Sequence, residues 1–141
     1  MNHSIYIHIP FCRHRCNYCD FVTTAGKQAY IPAYVDALKK EFRVVSDVSH
    51  ELHVHSIYFG GGTPSLLSIS QYKKLLDSLK SHFFMTEDCE ISLEANPGTL
   101  SSEYLLGLKN LGINRISIGV QSTDPFDLKR LDRIHTIEEV L

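Results

Sequence analysis

The sequence predicts an α/β fold: a parallel sheet fed by βα units, with one sheet face apolar and the other polar. Three observations carry that expectation. Short apolar runs alternate four times with segments of helical periodicity. The runs are closed by Pro, by a Gly-rich stretch or by Asn-Pro-Gly. Within a run, apolar residues alternate with polar or small ones, the period of an extended chain.

Taken in order, Ile5–Ile9 reads as a strand, rich in β-branched residues and stopped by Pro10. A loop with three cysteines follows, and then a helix over Tyr30–Val45 with Tyr34, Leu38, Phe42 and Val45 on one stripe. Val54–Phe59 is the second strand, closed by Gly60-Gly61-Gly62-Thr63-Pro64. Ser70 is placed to cap a helix that runs to about Lys80, with Tyr72, Leu75, Leu76 and Leu79 on its apolar face. Cys89–Glu94 forms the third strand, ended by Asn96-Pro97-Gly98. Ser101–Leu111 is a helix with Gly112 just beyond its end. Arg115–Val120 is the fourth strand and Pro125–Arg133 a short helix. Thr136-Ile137-Glu138-Glu139 has the pattern of a capping box, the start of a further helix. Because Leu141 follows within two turns, the sequence is expected to be the N-terminal part of a longer protein, a single unit over 1–141.

Parity along the strands separates two faces. Ile5, Ile7 and Ile9 oppose Tyr6 and His8; Cys89, Ile91 and Leu93 oppose Glu90, Ser92 and Glu94. In the fourth strand Ile116, Ile118 and Val120 oppose Arg115, Ser117, Gly119 and Gln121. Parallel strands are ordinarily apolar on both faces because helices cover both. One polar face therefore predicts a curved sheet whose concave side surrounds a polar ligand; the alternative is an open sheet with that face in solvent.

The bulk properties exclude several classes. At 141 residues, 43% hydrophobic and 21% charged, the chain is an ordinary globular sequence, long enough for one core and too short for a complete large barrel. A net charge of −2 and no run of Lys or Arg leave no electrostatic footprint for nucleic acid. No apolar stretch is long enough to span a membrane, and the N-terminal residues have a strand pattern without the features of a signal peptide. A reducing cytoplasm is the expected compartment.

Of four cysteines, Cys12, Cys16 and Cys19 fall within eight residues, directly after the first strand, where α/β folds place their chemistry. Clustering without a secretory signal favours metal over a disulfide framework. Three thiolates on one short loop suit three corners of a 4Fe–4S cube, leaving one iron open to a small molecule. Cys89 shares parity with Ile91 and Leu93 and reads as a small buried hydrophobe. Arg13, His14 and Arg15 stand between the first two thiols, where positive charge lowers a thiol pKa and offsets an anionic cluster. Two other readings remain: cysteines packed along one helical face, and a zinc site with His14 as a weak fourth ligand.

Gly60-Gly61-Gly62 lets a ligand approach bare backbone, whose amides and carbonyls can hold carboxylate and amino groups. Neither a phosphate-binding loop nor a dinucleotide fingerprint is present. Glu94 and Gln121 end the third and fourth strands on the polar parity, each able to bond a ribose or amino acid moiety, or simply to sit at the surface.

Tyr6-Ile7-His8-Ile9-Pro10-Phe11-Cys12, with Cys16, Tyr18, Cys19, Asp20 and Phe21, resembles the start of a radical S-adenosylmethionine protein of the oxygen-independent coproporphyrinogen III oxidase group. Tyr58-Phe59-Gly60-Gly61-Gly62-Thr63-Pro64-Ser65, Glu94-Ala95-Asn96-Pro97 and Ile118-Gly119-Val120-Gln121-Ser122 continue the likeness in the same order. Within the group the sequence is most similar to the haem-chaperone branch. The coproporphyrinogen dehydrogenases carry a further cysteine two residues after the third, and here that position is Phe21. The resemblance implies a haem chaperone with a 4Fe–4S cluster and S-adenosylmethionine; the alternative it leaves is a radical enzyme forming protoporphyrinogen IX.

Further implications follow from the same likeness. The fold would be a TIM-like radical S-adenosylmethionine barrel of about six βα units, of which this chain supplies four. S-Adenosylmethionine would chelate the open iron, with Tyr6 and Tyr18 lining its site, Gly61, Gly62 and Thr63 holding the methionine end, and Glu94, Gln121 and Arg133 completing the pocket. In related enzymes an electron from the cluster splits the sulfonium to give a 5′-deoxyadenosyl radical; the protein supplies orientation and water exclusion. A further aspartate for the cofactor, the rest of the barrel and a C-terminal haem-binding region would lie beyond Leu141. Haem or porphyrin would be the partner. His8, His14 and His135 are expected to be satisfied or solvent-exposed and not haem ligands. An open edge after the fourth strand predicts that the isolated chain folds or loads its cluster poorly.

Overall fold

The computed structural model describes residues 2–48 and 52–140. Met1 and Leu141, which mark the two ends of the sequence, lie outside the described residues. Strands β1 (Asn2–Ile9), β4 (His53–Gly61), β5 (Phe84–Ala95) and β6 (Arg115–Ile118) form one sheet in that order, every neighbouring pair parallel. Helices α1 (Ile31–Val48), α2 (Ile69–His82), α3 (Ser102–Asn110) and α4 (Pro125–Arg130) follow the strands in turn. A second, two-stranded piece pairs β2 (Phe11–Cys12) with β3 (Thr24–Ala25) and closes the cysteine loop at its base.

The two faces differ as parity predicts. Ile7, Ile9, Val54, Ile57, Phe59, Ile91 and Leu93 are buried against Val35, Leu38 and Phe42 of α1, Tyr72, Leu75 and Leu79 of α2, and Leu108 of α3. Burying each such side chain stabilises the fold by about 1.5–3 kcal/mol. The opposite face carries Tyr6, Tyr58, Ser92, Glu94 and Ser117, with Tyr6 exposed at 58% and Ser92 buried.

The predicted elements are present, with instructive differences at their ends. Strands β1, β4 and β5 start earlier than the apolar pattern suggests, because Asn2 and His3 pair with His53 and Val54, and these with Phe84 and Met85, at the sheet's far end. Helix α1 starts one residue late, after a 3₁₀ turn at Gln28–Tyr30, and runs three residues past Val45, which is 40% exposed at the end of the apolar stripe. The cap of α2 is Ser68, not Ser70: Ser68 Oγ accepts from Gln71 N and Ser68 N donates to Gln71 Oε1, a complete capping box. Helix α4 stops at Arg130, and the Thr136 capping box closes only a 3₁₀ turn, Ile137–Glu139.

The fourth strand departs most. β6 ends at Ile118, and Ile118 is 45% exposed although its parity is apolar. The helix that follows β6 has six residues, and among the described residues the strand pairs with β5 alone. Beyond it, Val120 N donates to Ile118 O and Ser122 N to Val120 O, two successive three-residue turns, the second centred on Gln121 at φ 68°. The chain is thus bent back at the point where the sequence pattern implies continued extension.

Candidate functional site

The carboxyl ends of β1, β4, β5 and β6 meet the cysteine loop around a cavity of about 410 Å³. Cys12, Cys16, Cys19, Tyr18 and Phe21 line one side; Gly61, Gly62, Thr63 and Glu94 line another; Ser117, Ile118 and Gln121 close it along β6. Of the residues singled out from the sequence, Tyr6 and Arg133 are not on its wall.

Cys12 is the most enclosed of the three thiols. It lies on β2, 6% exposed, and its Sγ accepts from Thr63 Oγ1 at 3.7 Å. Burial pushes its thiol pKa up, and the neighbouring Cys19 and Cys16 push the same way; the hydroxyls of Thr63 and Thr23 only partly offset this. The expectation that Arg13, His14 and Arg15 lower it therefore fails for Cys12. Those three side chains are exposed, with His14 on Asp132 Oδ2 and Arg15 on Cys19 O, whereas Cys12 is almost wholly shielded from water. A coordinating metal displaces such a proton, so a raised thiol pKa makes ligation pH-dependent without preventing it. Cys16 and Cys19 are half-buried, and Cys19 N donates to Cys16 O at 3.0 Å, a tight turn that excludes one continuous helix through the cysteines. All four cysteines are free thiols, and Cys89 is buried far along β5 in the core, as its parity implies.

The glycines form a cradle. A Cβ on Gly62 would lie 2.8 Å from Cys12 Sγ and 2.8 Å from Phe11 O; one on Gly61, at φ 116°, would lie 2.7 Å from His8 Cε1. Gly62 N and Thr63 N donate to Ile9 O and Phe11 O, both at 2.8 Å, binding this turn to the start of the cysteine loop. Only glycine fits that approach.

Glu94 has both oxygens engaged. Oε1 accepts from Tyr58 Oη at 2.7 Å, and Oε2 accepts from Gly61 N at 3.0 Å. Tyr58, not anticipated from the sequence, is thereby a positioning group; burial, then the carboxylate, push its pKa to about 12, so it stays a donor. Tyr6 stacks on Tyr58 at 6.1 Å between centroids and bonds His8 Nδ1 at 2.9 Å, one step removed from the cavity. Alternation places Tyr58 on the polar face with Glu94, a signal that was available.

Arg133 approaches from the other side. Its Nη2 donates to Asn96 Oδ1 at 2.8 Å and to Gly119 O at 2.6 Å, and its Nη1 to Cys16 Sγ at 3.7 Å. It lines an adjoining cavity of about 150 Å³ with Asn96 and His135. Asn96 Nδ2 in turn donates to Thr63 Oγ1 at 3.1 Å, a link that strand patterning cannot reveal. The three histidines are satisfied: His8 Nε2 bonds Val22 O, His14 Nε2 bonds Asp132 Oδ2, and His135 Nε2 bonds Val120 O.

The donor set fits an iron–sulfur cube. Among the described residues no three His, Cys, Asp or Glu side chains converge on a single ion position. A cube takes each thiolate on a different iron, so its ligands stand apart around a space instead of meeting at a point. Three free thiols around one cavity, facing glycine backbone and a carboxylate, have that arrangement.

Known proteins share both the sequence and the shape. Over 141 aligned residues the chain is 42% identical to the heme chaperone HemW of Haemophilus influenzae, covering 96% of this chain and 37% of that protein. To HemW of Escherichia coli it is 43% identical over 138 residues, covering 96% and 36%. The chain thus spans little more than a third of the curated relatives it matches. The solved structure of coproporphyrinogen III oxidase (HemN) from Escherichia coli, a radical SAM enzyme, superposes with a TM-score of 0.91 at 32% identity, over 97% of this chain and 32% of that one. Elp3 of Methanocaldococcus infernus, at 16% identity and a TM-score of 0.56, shares the fold alone. The parallel sheet with its helices is accordingly consistent with part of a TIM-like barrel. No described helix is long and apolar enough to cross a membrane. The sequence profile of the Radical SAM superfamily runs over residues 6–141, leaving almost nothing outside the match: the chain belongs to that superfamily, and a 4Fe–4S cluster and S-adenosylmethionine are the cofactors its membership implies.

Proposed function

We propose that this chain is the cofactor-binding part of a HemW-like haem chaperone, in which Cys12, Cys16 and Cys19 hold a 4Fe–4S cluster whose fourth iron takes S-adenosylmethionine. The observation that carries the reading is the placing of three free thiols, Gly61-Gly62-Thr63 and Glu94 around one cavity at the carboxyl ends of the strands. Gly61 and Gly62 present backbone to the methionine moiety, and Thr63 braces Cys12. Glu94, held by Tyr58 and Gly61 N, faces the cavity ready-oriented, and Gln121 closes the β6 side. Tyr18 stands beside the loop thiols; Tyr6 and Arg133 act through Tyr58 and Cys16 respectively. Haem or porphyrin would be handled by the full-length protein, with the remaining βα units and a C-terminal region following this segment.

The second reading is a coproporphyrinogen III dehydrogenase, favoured by the TM-score of 0.91 to HemN. Against it stands Phe21, 69% exposed on the cavity wall, where the dehydrogenases have a cysteine.

Anaerobic reconstitution of the full-length protein, iron and sulfide counting, and electron paramagnetic resonance with and without S-adenosylmethionine test the site. Haem retained without turnover supports the chaperone. Protoporphyrinogen formed from coproporphyrinogen III under dithionite refutes it. Iron loading that survives alanine at all three cysteines refutes the site itself.

A further inference from the structure

The segment after α4 reaches back to the cysteine loop through two consecutive residues. Asp132 Oδ2 accepts from His14 Nε2 at 2.7 Å, across 118 positions of sequence, and Arg133 Nη1 contacts Cys16 Sγ at 3.7 Å. Otherwise residues 13–19 are held by bonds within the loop: Cys19 N to Cys16 O at 3.0 Å and Arg15 Nη2 to Cys19 O at 3.2 Å. The far end of the contact is firmly based. Leu128 of α4 is buried, Asp132 N donates to Lys129 O at 3.1 Å, and Arg133 N donates to Leu128 O at 2.9 Å. Asp132 itself stands at φ 55°, a left-handed backbone that glycine adopts freely and aspartate with some strain. Glycine would serve the turn at least as well; what aspartate adds there is a carboxylate, and that carboxylate is on His14.

We propose that Asp132 and His14 form a latch that positions the loop between Cys12 and Cys16 for the cluster. This rests on the reading that Cys12, Cys16 and Cys19 are its ligands. Neither residue touches the cavity chemistry as a ligand. Their effect is to hold the middle of an otherwise self-supporting loop against the body of the sheet, so that two thiols keep their separation before iron arrives. The bland alternative is a half-exposed polar contact of no consequence, and the two differ in what they predict for the cluster as against the fold.

The test compares wild type, His14→Ala, His14→Gln, Asp132→Gly and the double variant His14→Ala/Asp132→Gly, all in the full-length protein. Three quantities are read: iron loss to a ferrous chelator after anaerobic reconstitution, the paramagnetic resonance line of the reduced cluster, and the melting temperature of the apo-protein. We expect iron to leave both single variants about three- to tenfold faster than wild type, with altered resonance lines. The double variant is expected to be no faster than either single one, and His14→Gln, whose Nε2 can reach the same acceptor, near wild type. Apo Asp132→Gly should melt at or above wild type, since glycine relieves the backbone. Wild-type rates in both single variants, independent additive effects, or a drop in apo melting that parallels iron loss would each overturn the latch. A wild type that takes up zinc or no iron overturns the cluster reading first, before any variant is compared.

Discussion

Replacing Gly62 with alanine tests the union of glycine turn and cysteine loop directly. The added Cβ meets Cys12 Sγ at 2.8 Å, Phe11 O at 2.8 Å and the carbonyl carbon of Pro10 at 3.0 Å. The latter two are backbone: Phe11 O accepts from Thr63 N at 2.8 Å and Pro10 O from Thr24 N at 2.7 Å, so neither can withdraw without stretching those bonds. Overpacking of this kind costs about 1–3 kcal/mol, and loss of one backbone hydrogen bond about 1 kcal/mol more. At this chain length each kcal/mol lowers the melting temperature by about 3–5 °C. Gly112→Ala is the matched control: at φ 96° with open space around it, alanine there costs about 1–2 kcal/mol from backbone strain alone. Both variants should melt lower by thermal circular dichroism. Only Gly62→Ala should also lose iron after reconstitution, because only its clash displaces a thiol. Full iron stoichiometry in Gly62→Ala, or equal iron loss in Gly112→Ala, would refute the steric argument.

Tyr58→Phe leaves Glu94 with its bond from Gly61 N but without the phenol on Oε1, and should weaken S-adenosylmethionine binding about two- to tenfold by titration calorimetry of the reconstituted protein. Thr63→Val removes the acceptor of Asn96 Nδ2 and the donor to Cys12 Sγ in a buried spot, costing about 1–3 kcal/mol in urea unfolding, whereas an unchanged midpoint would show the network idle. Leu79→Ala, at the wholly buried seam of α2 and the sheet, should cost about 2–5 kcal/mol without affecting the thiols' arrangement. His135 is buried and lies beside the Arg133 guanidinium, which together hold its pKa below the ordinary imidazole value. The folded state then binds that proton less readily than the unfolded chain. Its contribution is complete above about pH 6.5 and is lost as pH falls below it, levelling once the folded site titrates too. Melting temperature against pH should therefore decline from about pH 7 toward 5, and His135→Gln should flatten that decline; an unaltered slope would assign the effect elsewhere.

Much of the architecture was legible because it is encoded at short range. Alternation of apolar and polar residues marks a strand whether or not its partners are known, and the same alternation told which sheet face the helices cover. The Cys12, Cys16, Cys19 spacing and the Gly60-Gly61-Gly62 turn are local too, as is the burial of Cys89, which follows from its place in the Ile91–Leu93 run.

What the tertiary structure alone decided concerns contacts between residues far apart in the chain and the environments those contacts create. Ser68 prevails over Ser70 as a cap because a cap is chosen by backbone geometry, and two serines so close read alike. The bend after Ile118 is made by two successive three-residue turns, the second at Gln121 with φ 68°, which apolar alternation does not record. Cys12 has a raised pKa and not a lowered one because desolvation depends on what folds over the sulfur, and it outweighs the charges that stand beside it in sequence. Arg133 reaches Cys16, and Asp132 reaches His14, only once four βα units have brought the end of the last helix over the first loop. Local patterning thus determined the elements and the clustering of three cysteines by itself; the shape of the cavity, the proton affinities within it and the ties across it depend on chain closure over a hundred residues, which no short-range pattern records.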